Sequence, residues 1–151
     1  MLLDSLLVPE TIVKPKSFVG LMALYESNFL RLLRIIPEID RVDGCFRSRV
    51  AGDCDLYVEV IETSRYTVTL SMTYHLAADS GLLVDPDMMV RAYLDGQQAE
   101  VLAIGEQQRH AALRRLVFEH HEELDRRWRC NIILNKWLEY LSDQGHLILD
   151  C

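Results

Sequence analysis

The chain has 151 residues, 50% of them hydrophobic and 26% charged, with a net charge of -7 and a pI near 5.2. That length can bury a sizeable core in one domain, and the composition is that of an ordinary globular protein. The negative balance excludes broad binding to a phosphate backbone, so nucleic acid is not an expected partner.

The opening "MLLDSLLVPE" is interrupted by Asp4 and lacks a basic n-region and a small-residue cleavage site. It predicts neither a signal peptide nor a membrane span. Residues 1–16 read as an extension in which Pro9 and Pro15 discourage regular structure, and residues 17–151 as a single domain. Ser17 is a predicted N-cap. After it Phe18, Leu21, Met22, Tyr25, Phe29, Leu32, Leu33 and Ile36 recur at helical spacing. This predicts an amphipathic helix ending before Pro37, with Glu26, Arg31 and Arg34 on its opposite face.

From Gly44 the period changes to two. "CFRSRV" and "DLYVEVIE" read as strands joined through Ala51-Gly52-Asp53, and "YTVTLSMTY" as a third. The third strand places Tyr66, Val68, Leu70 and Met72 on one face and Thr67, Thr69, Ser71 and Thr73 on the other. One face meets a core and one meets water, as antiparallel sheets commonly arrange. The turn before it reads at Thr63-Ser64, without the Gly or Asn-Gly that a tight hairpin prefers. "LAADSGLLVDPD" is predicted as a loop from its Asp79-Ser80-Gly81 and Asp85-Pro86 signals. In "MMVRAYLDGQQAEVLAI", Asp95-Gly96 predicts a type I′ hairpin.

Beyond Gly105 the pattern is helical. "EQQRHAALRRLVFEHHEELDRRWR" is charged and weakly amphipathic. "CNIILNKWLEYLSDQG" puts Ile133, Leu134, Trp137, Leu138 and Leu141 on one face, with Gly145 as a natural C-cap. The predicted fold class is α+β: an antiparallel meander of about five strands, with an N-terminal helix and C-terminal helices packed on one face.

The four cysteines, Cys45, Cys54, Cys130 and Cys151, show no CxxC spacing. They read as free thiols in a reducing compartment, and a cytoplasmic location is expected. "FEHHEEL", Phe118 to Leu124, begins a stretch where His121 and Asp125 share a helix face. The HExxH order and a third ligand are missing, so no metal is expected at His120-His121. The arginines between Arg109 and Arg129 interleave with Glu119, Glu122, Glu123 and Asp125, the pattern of a salt-bridged exposed face. No Walker loop, GxGxxG, GxSxG elbow or Ser-His-Asp set is legible, so neither a cofactor nor a catalytic set is expected.

Four segments in register carry a resemblance: "LYESNFLRLLRIIP", "VIETSRYTVTL", "MMVRAYLDGQQAEVL" and "NIILNKWLEYL". Together they resemble the YqiB-like family of small bacterial proteins, a domain of unknown function, over residues 16–145. The matching positions include Glu26, Asn28, Arg31 and Leu32, then Glu62, Ser64, Arg65, Tyr66 and Thr67. Arg91, Tyr93, Glu100, Asn131 and Trp137 follow. The chain departs from the family pattern between Gln107 and Leu124. The resemblance implies no reaction, and it hints at nucleotide metabolism through the nucleotide-hydrolysing enzymes that often neighbour such genes.

The candidate ligand-binding residues are Glu26, Asn28, Glu62, Arg65, Tyr66 and Arg91. Leu56, Val58 and Val60 form one strand face, so Glu62 is expected to continue it at its open end. A carboxylate there needs a partner, and Arg65 across the bend is the expected one. Arg65 and Tyr66 would then face a groove against the first helix, beside Glu26 and Asn28, suited to an anionic or planar ligand. The leading expectation is a non-catalytic accessory domain that binds such a ligand or a protein partner. One alternative is an enzyme on a small anionic, nucleotide-like metabolite, with Glu62 as acid or base and Arg65 as clamp. The other is a homodimer through a sheet edge at Val90 to Leu94 or Cys45 to Val50. No membrane partner is expected.

Overall fold

The computed structural model describes residues 17–78, 81–104 and 123–149. The elements are α1 (Phe18–Ile35), β1 (Cys45–Ser48), β2 (Asp55–Thr63), β3 (Thr67–Ala78), β4 (Gly81–Tyr93), β5 (Gln98–Ile104) and α2 (Glu123–Gln144). The strands form one antiparallel sheet in the order β1-β2-β3-β4-β5, so the fold is the expected α+β meander with a helix at each end.

α1 begins where its sequence says it should. Ser17 Oγ accepts the Gly20 N–H at 3.0 Å, satisfying one orphan donor of the first turn. It stops before Pro37, with the Ile36 N–H closing on Leu32 O at 2.8 Å. The apolar stripe is buried as predicted at Leu21, Tyr25, Phe29 and Leu32, but Phe18 is exposed and Arg31, assigned to the solvent face, is only 5% exposed. The reason is that α1 meets two neighbours, β5 and α2. One flank packs on the sheet, and a second, polar flank of Ser27, Asn28 and Arg31 is covered by α2. Arg31 there faces Glu139 at 3.6 Å.

The inner sheet face carries Leu56, Val58, Val68, Leu70, Met72, Met88, Val90, Ala92, Ala99 and Val101, all in one core with the helices. Two one-residue bulges set which side chains belong to it. Val60 pairs with Leu70, but the next pair is Glu62 with Thr69, so Ile61 is the extra residue. A bulge shifts the alternation by one. Glu62 therefore leaves the apolar face, contrary to its expected place, and joins the outer face with Thr69. On β4 and β5, Met89 pairs with Ala103 and Val90 with Val101, leaving Leu102 as the second extra residue.

Three expected turns move. Residues 76–78 and 81–87 are strand rather than loop, with Leu76 paired to Leu83 and Ala78 to Gly81, while the Asp79-Ser80 turn signal lies outside the described residues. Pro86 is tolerated because Thr73–Asp87 and His75–Val84 flank a register shift, and pairing with β5 begins only at Met88. A proline without an N–H fits such a break in the ladder. At the β2–β3 turn, Thr63 is still strand, and Arg65-Tyr66 form the loop between Ser64 and Thr67. Ser64 N–H donates to Thr67 O at 2.9 Å, and Thr67 N–H returns to Ser64 Oγ at 3.2 Å, which replaces the missing glycine chemistry. The Asp95-Gly96 hairpin is a longer loop, Leu94 to Gln97, with the left-handed position at Gln97, φ 55°. Leu94 N–H donates to Tyr66 O at 2.8 Å, continuing the β3–β4 register one pair beyond Thr67–Tyr93.

β4 pairs on both sides, so Val90 to Leu94 is not a sheet edge; β1 is. α2 buries Leu134, Trp137, Leu138 and Leu141 as expected, with Cys130, Asn131 and Asn135 beside them. It ends in a Schellman motif: His146 N–H to Leu141 O at 3.0 Å and Gly145 N–H to Ser142 O at 3.1 Å, with Gly145 at φ 96°. Gly145→Ala places a Cβ in that left-handed conformation and is expected to cost about 1 kcal/mol in urea unfolding; no loss would show that the terminus adapts without it.

Candidate functional site

Three polar constellations stand out, and each is assembled from separate elements. The first joins the layers. Asn28 is fully buried on α1, and its Nδ2 donates to Asn131 Oδ1 at 3.3 Å, while its Oδ1 accepts Asn135 Nδ2 at 3.0 Å. Asn131 Oδ1 also accepts the Val101 N–H of β5 at 2.9 Å, and Asn131 Nδ2 donates one turn back to Arg127 O at 2.8 Å. Asn135 Nδ2 reaches Ser27 Oγ at 3.0 Å. Asn28 and Asn131 are each used on both the donor and the acceptor side, and Asn135 Nδ2 donates to two partners, so these groups are spent within the protein rather than aimed at a ligand.

The second lies on the outer face. Register aligns Glu62, Thr69, Arg91 and Glu100 across β2, β3, β4 and β5. Arg91 Nε donates to Thr69 Oγ1 at 3.0 Å, and Arg91 Nη2 pairs with Glu62 Oε1 at 3.8 Å. Tyr93 Oη donates to Glu100 Oε2 at 2.6 Å, and Arg127 reaches around the edge to Glu100 Oε1 at 3.5 Å. Burial, followed by its bond to Glu100, pushes the Tyr93 phenol up, so it stays a donor.

The third was not legible as a set. His146, 2% exposed, sits with Nε2 2.9 Å from Asp53 Oδ2 and Nδ1 2.9 Å from Ser48 Oγ. Tyr74 Oη donates to the same Asp53 oxygen, and Tyr140 Oη to Oδ1 at 3.4 Å. A carboxylate requires a donor, so the neutral ring carries its proton on Nε2, leaving Nδ1 to accept from Ser48. Burial alone would raise Asp53, but hydrogen bonds from Tyr74, His146 and the Cys54 N–H outweigh it and hold the carboxyl below the ordinary range. Tyr74 is pushed up by burial and then by Asp53, and Cys54 by burial and the Asp53 and Asp55 charges. Both phenol and thiol stay protonated.

This is a Ser-His-Asp order, yet its geometry opposes nucleophilic catalysis. Ser48 is 5% exposed, and its Oγ also accepts the Leu147 N–H at 3.3 Å. The base rides on the segment that covers the serine, so any opening that admits a substrate withdraws the base. Sequence offered no signal for it, because Ser48, Asp53, Tyr74, Tyr140 and His146 meet only in space. The amide lattice did leave a trace: poor helix formers Asn131 and Asn135 sit at i,i+4 on an otherwise apolar face.

The predicted site residues do not converge. Glu62 pairs with Arg91 rather than Arg65, because the Ile61 bulge turns it outward. Arg65 lies over the Tyr66 ring, its guanidinium carbon 5.2 Å from the centroid, in the exposed turn. Asn28 is sealed between helices, and Glu26 is exposed on α1. α1 packs along β5, two strands and about 10 Å from β3, so it forms no groove wall for that turn. Among the described residues, His, Cys, Asp and Glu form no group of three that could hold a metal ion. The His120-His121 segment lies outside them, and no described helix is long and apolar enough to cross a membrane. Cys45, Cys54 and Cys130 are not joined in disulfides.

These features define a small α+β protein with a helix pair on one side of an open meander and a polar, cross-bonded opposite side. Residues 31–147 match the family described as "Protein of unknown function (DUF1249)", and the chain belongs to that family. No curated protein and no solved structure matches it. Asn131→Ala strands the Val101 N–H and an Asn28 amide hydrogen, and should cost about 3 kcal/mol in urea unfolding; a loss under about 1 kcal/mol would mean water replaces it. His146→Ala should cost about 2 kcal/mol by the same measurement.

Proposed function

We propose that this is a non-catalytic binding domain of the bacterial cytoplasm, YqiB-like in kind, which takes an anionic or planar group at the β2–β3 turn. The observation behind this reading is the Arg65–Tyr66 pair. Tyr66 is 49% exposed, Arg65 is stacked on it, and no ion pair engages Arg65 among the described residues. A guanidinium supported on a ring keeps its planar fork outward and loses less freedom when it binds a carboxylate or phosphate. The turn is held at fixed height by its Ser64–Thr67 exchange and by the Leu94 N–H bond to Tyr66 O. Such a rigid display suits recognition better than chemistry, and Glu62 stands open to solvent against Arg91 instead of in a pocket.

A thermal-shift series with nucleotides, phosphorylated metabolites and acidic peptides tests the reading. A ligand at a hundred times its dissociation constant adds about 2.7 kcal/mol, a rise of roughly 5–10 °C for a chain of this size. Arg65→Ala should leave the unliganded melting point within about 2 °C, as surface changes do, and abolish the ligand-induced rise. If no compound stabilises the wild type and its protein partners are unchanged by Arg65→Ala, the turn is scaffolding.

A further inference from the structure

The segment after α2, residues 146–149, has no regular structure, yet His146 and Ile148 are buried while Leu147 and Leu149 are exposed. It is fastened on two sides. Ile148 N–H donates to Ile35 O at 2.7 Å, closing the carbonyl end of α1. The His146 ring and the Leu147 N–H fasten it to Ser48 at the end of β1 and to Asp53 in the β1–β2 turn.

We propose that residues 146–149 form an acid-released strap, held closed by the ionised Asp53 and able to open while the sheet stays folded. Asp53 is faced by donors from every element around it: Tyr74 on β3, Tyr140 on α2, His146 on the strap and the Cys54 N–H of its own turn. Protonating Asp53 weakens its acceptance and adds a donor where Tyr74 and His146 already point donors. The neighbouring phenols and thiol do not take that proton instead. Tyr74 and Tyr140 are pushed up, Tyr140 chiefly by the Asp53 charge, and Cys54 is pushed up. Arg49 is engaged with Asp55 at 3.3 Å. A proton on His146 Nδ1, by contrast, leaves the Asp53 contact intact as an ion pair, and Ser48 can rotate to accept from it.

The sign follows from the lowered Asp53 value. The carboxylate's contribution to the closed strap is fully present above the ordinary value near 3.8 and is lost as pH falls through the folded one. Hydrogen exchange of the intact protein from pH 7 to 2.5, normalised to intrinsic rates, reads this out. The opening constant of the Leu147 and Ile148 amides reports the strap. Below about pH 4 it should rise about ten-fold per unit until Asp53 protonates in the closed state, ahead of the β3 and β4 amides. Strap and sheet amides losing protection together, or a strap that stays flat in acid, overturns the proposal. Asp53→Asn should remove the acid-dependent rise; a variant that keeps the wild-type slope overturns it as well. If that variant does not fold, the wild-type series alone decides.

Discussion

The side-chain amide of Asn131 joins the layers of this molecule. A polar group in a core is tolerated only when its bonds are made, because an orphaned amide costs about 1–3 kcal/mol. Asn131 turns that penalty into specificity by bonding β5, α1 and its own helix at once. Most of the cohesion comes from elsewhere: each fully buried leucine such as Leu32, Leu134 or Leu138 is worth roughly 1.5–3 kcal/mol. Leucines tolerate sliding, whereas amides do not. The apolar surface holds the helix pair on the sheet, and the asparagines select one register for it. Trp128 Nε1 donating to Ser17 O at 2.9 Å, and Arg31 facing Glu139, continue the same alignment along the two helices.

With the helix layer placed, the sheet decides which charges are displayed. The Ile61 bulge carries Glu62 off the core face, where an unpaired carboxylate would be expensive, and delivers it to Arg91. It also leaves Arg65 without that partner. A single extra residue thus converts an expected salt-bridged elbow into two separate features, a cross-strand row and a free-standing cation–π pair. The Glu62–Arg91 pair in that row opens to solvent on its Glu62 side and adds little stability, since surface ion pairs are worth about 0–1 kcal/mol. The cation–π pair is the more accessible of the two.

The buried Ser48–His146–Asp53 cluster has the atoms of a catalytic set and the surroundings of a fastener. Its serine is covered, its base sits on the cover, and its carboxylate is shared with Tyr74 and Tyr140. The same cluster links the first hairpin to the chain end beyond α2. A change at the β1–β2 turn therefore reaches the carbonyl end of α1 through a few hydrogen bonds.

Local rules in the sequence determined the element types, the fold class, the Ser17 cap, the Gly145 terminus and the alternation of β3. These depend on neighbours a few residues apart, and helix and strand periods report them directly. They failed at the Ile61 and Leu102 bulges, at Pro86 and at Asp95-Gly96, because a bulge or a loop length is set by what the adjoining strand presents. Arg31 was misplaced, and Asn28, expected to bond a loop or a strand edge, found its partners on α2 for the same reason: a helix face is polar or buried according to the partner that covers it. Only the tertiary structure could bring Ser48, Asp53, Tyr74, Tyr140 and His146 together. Hydrogen bonds act over about 3 Å in space regardless of separation along the chain, and no period records that.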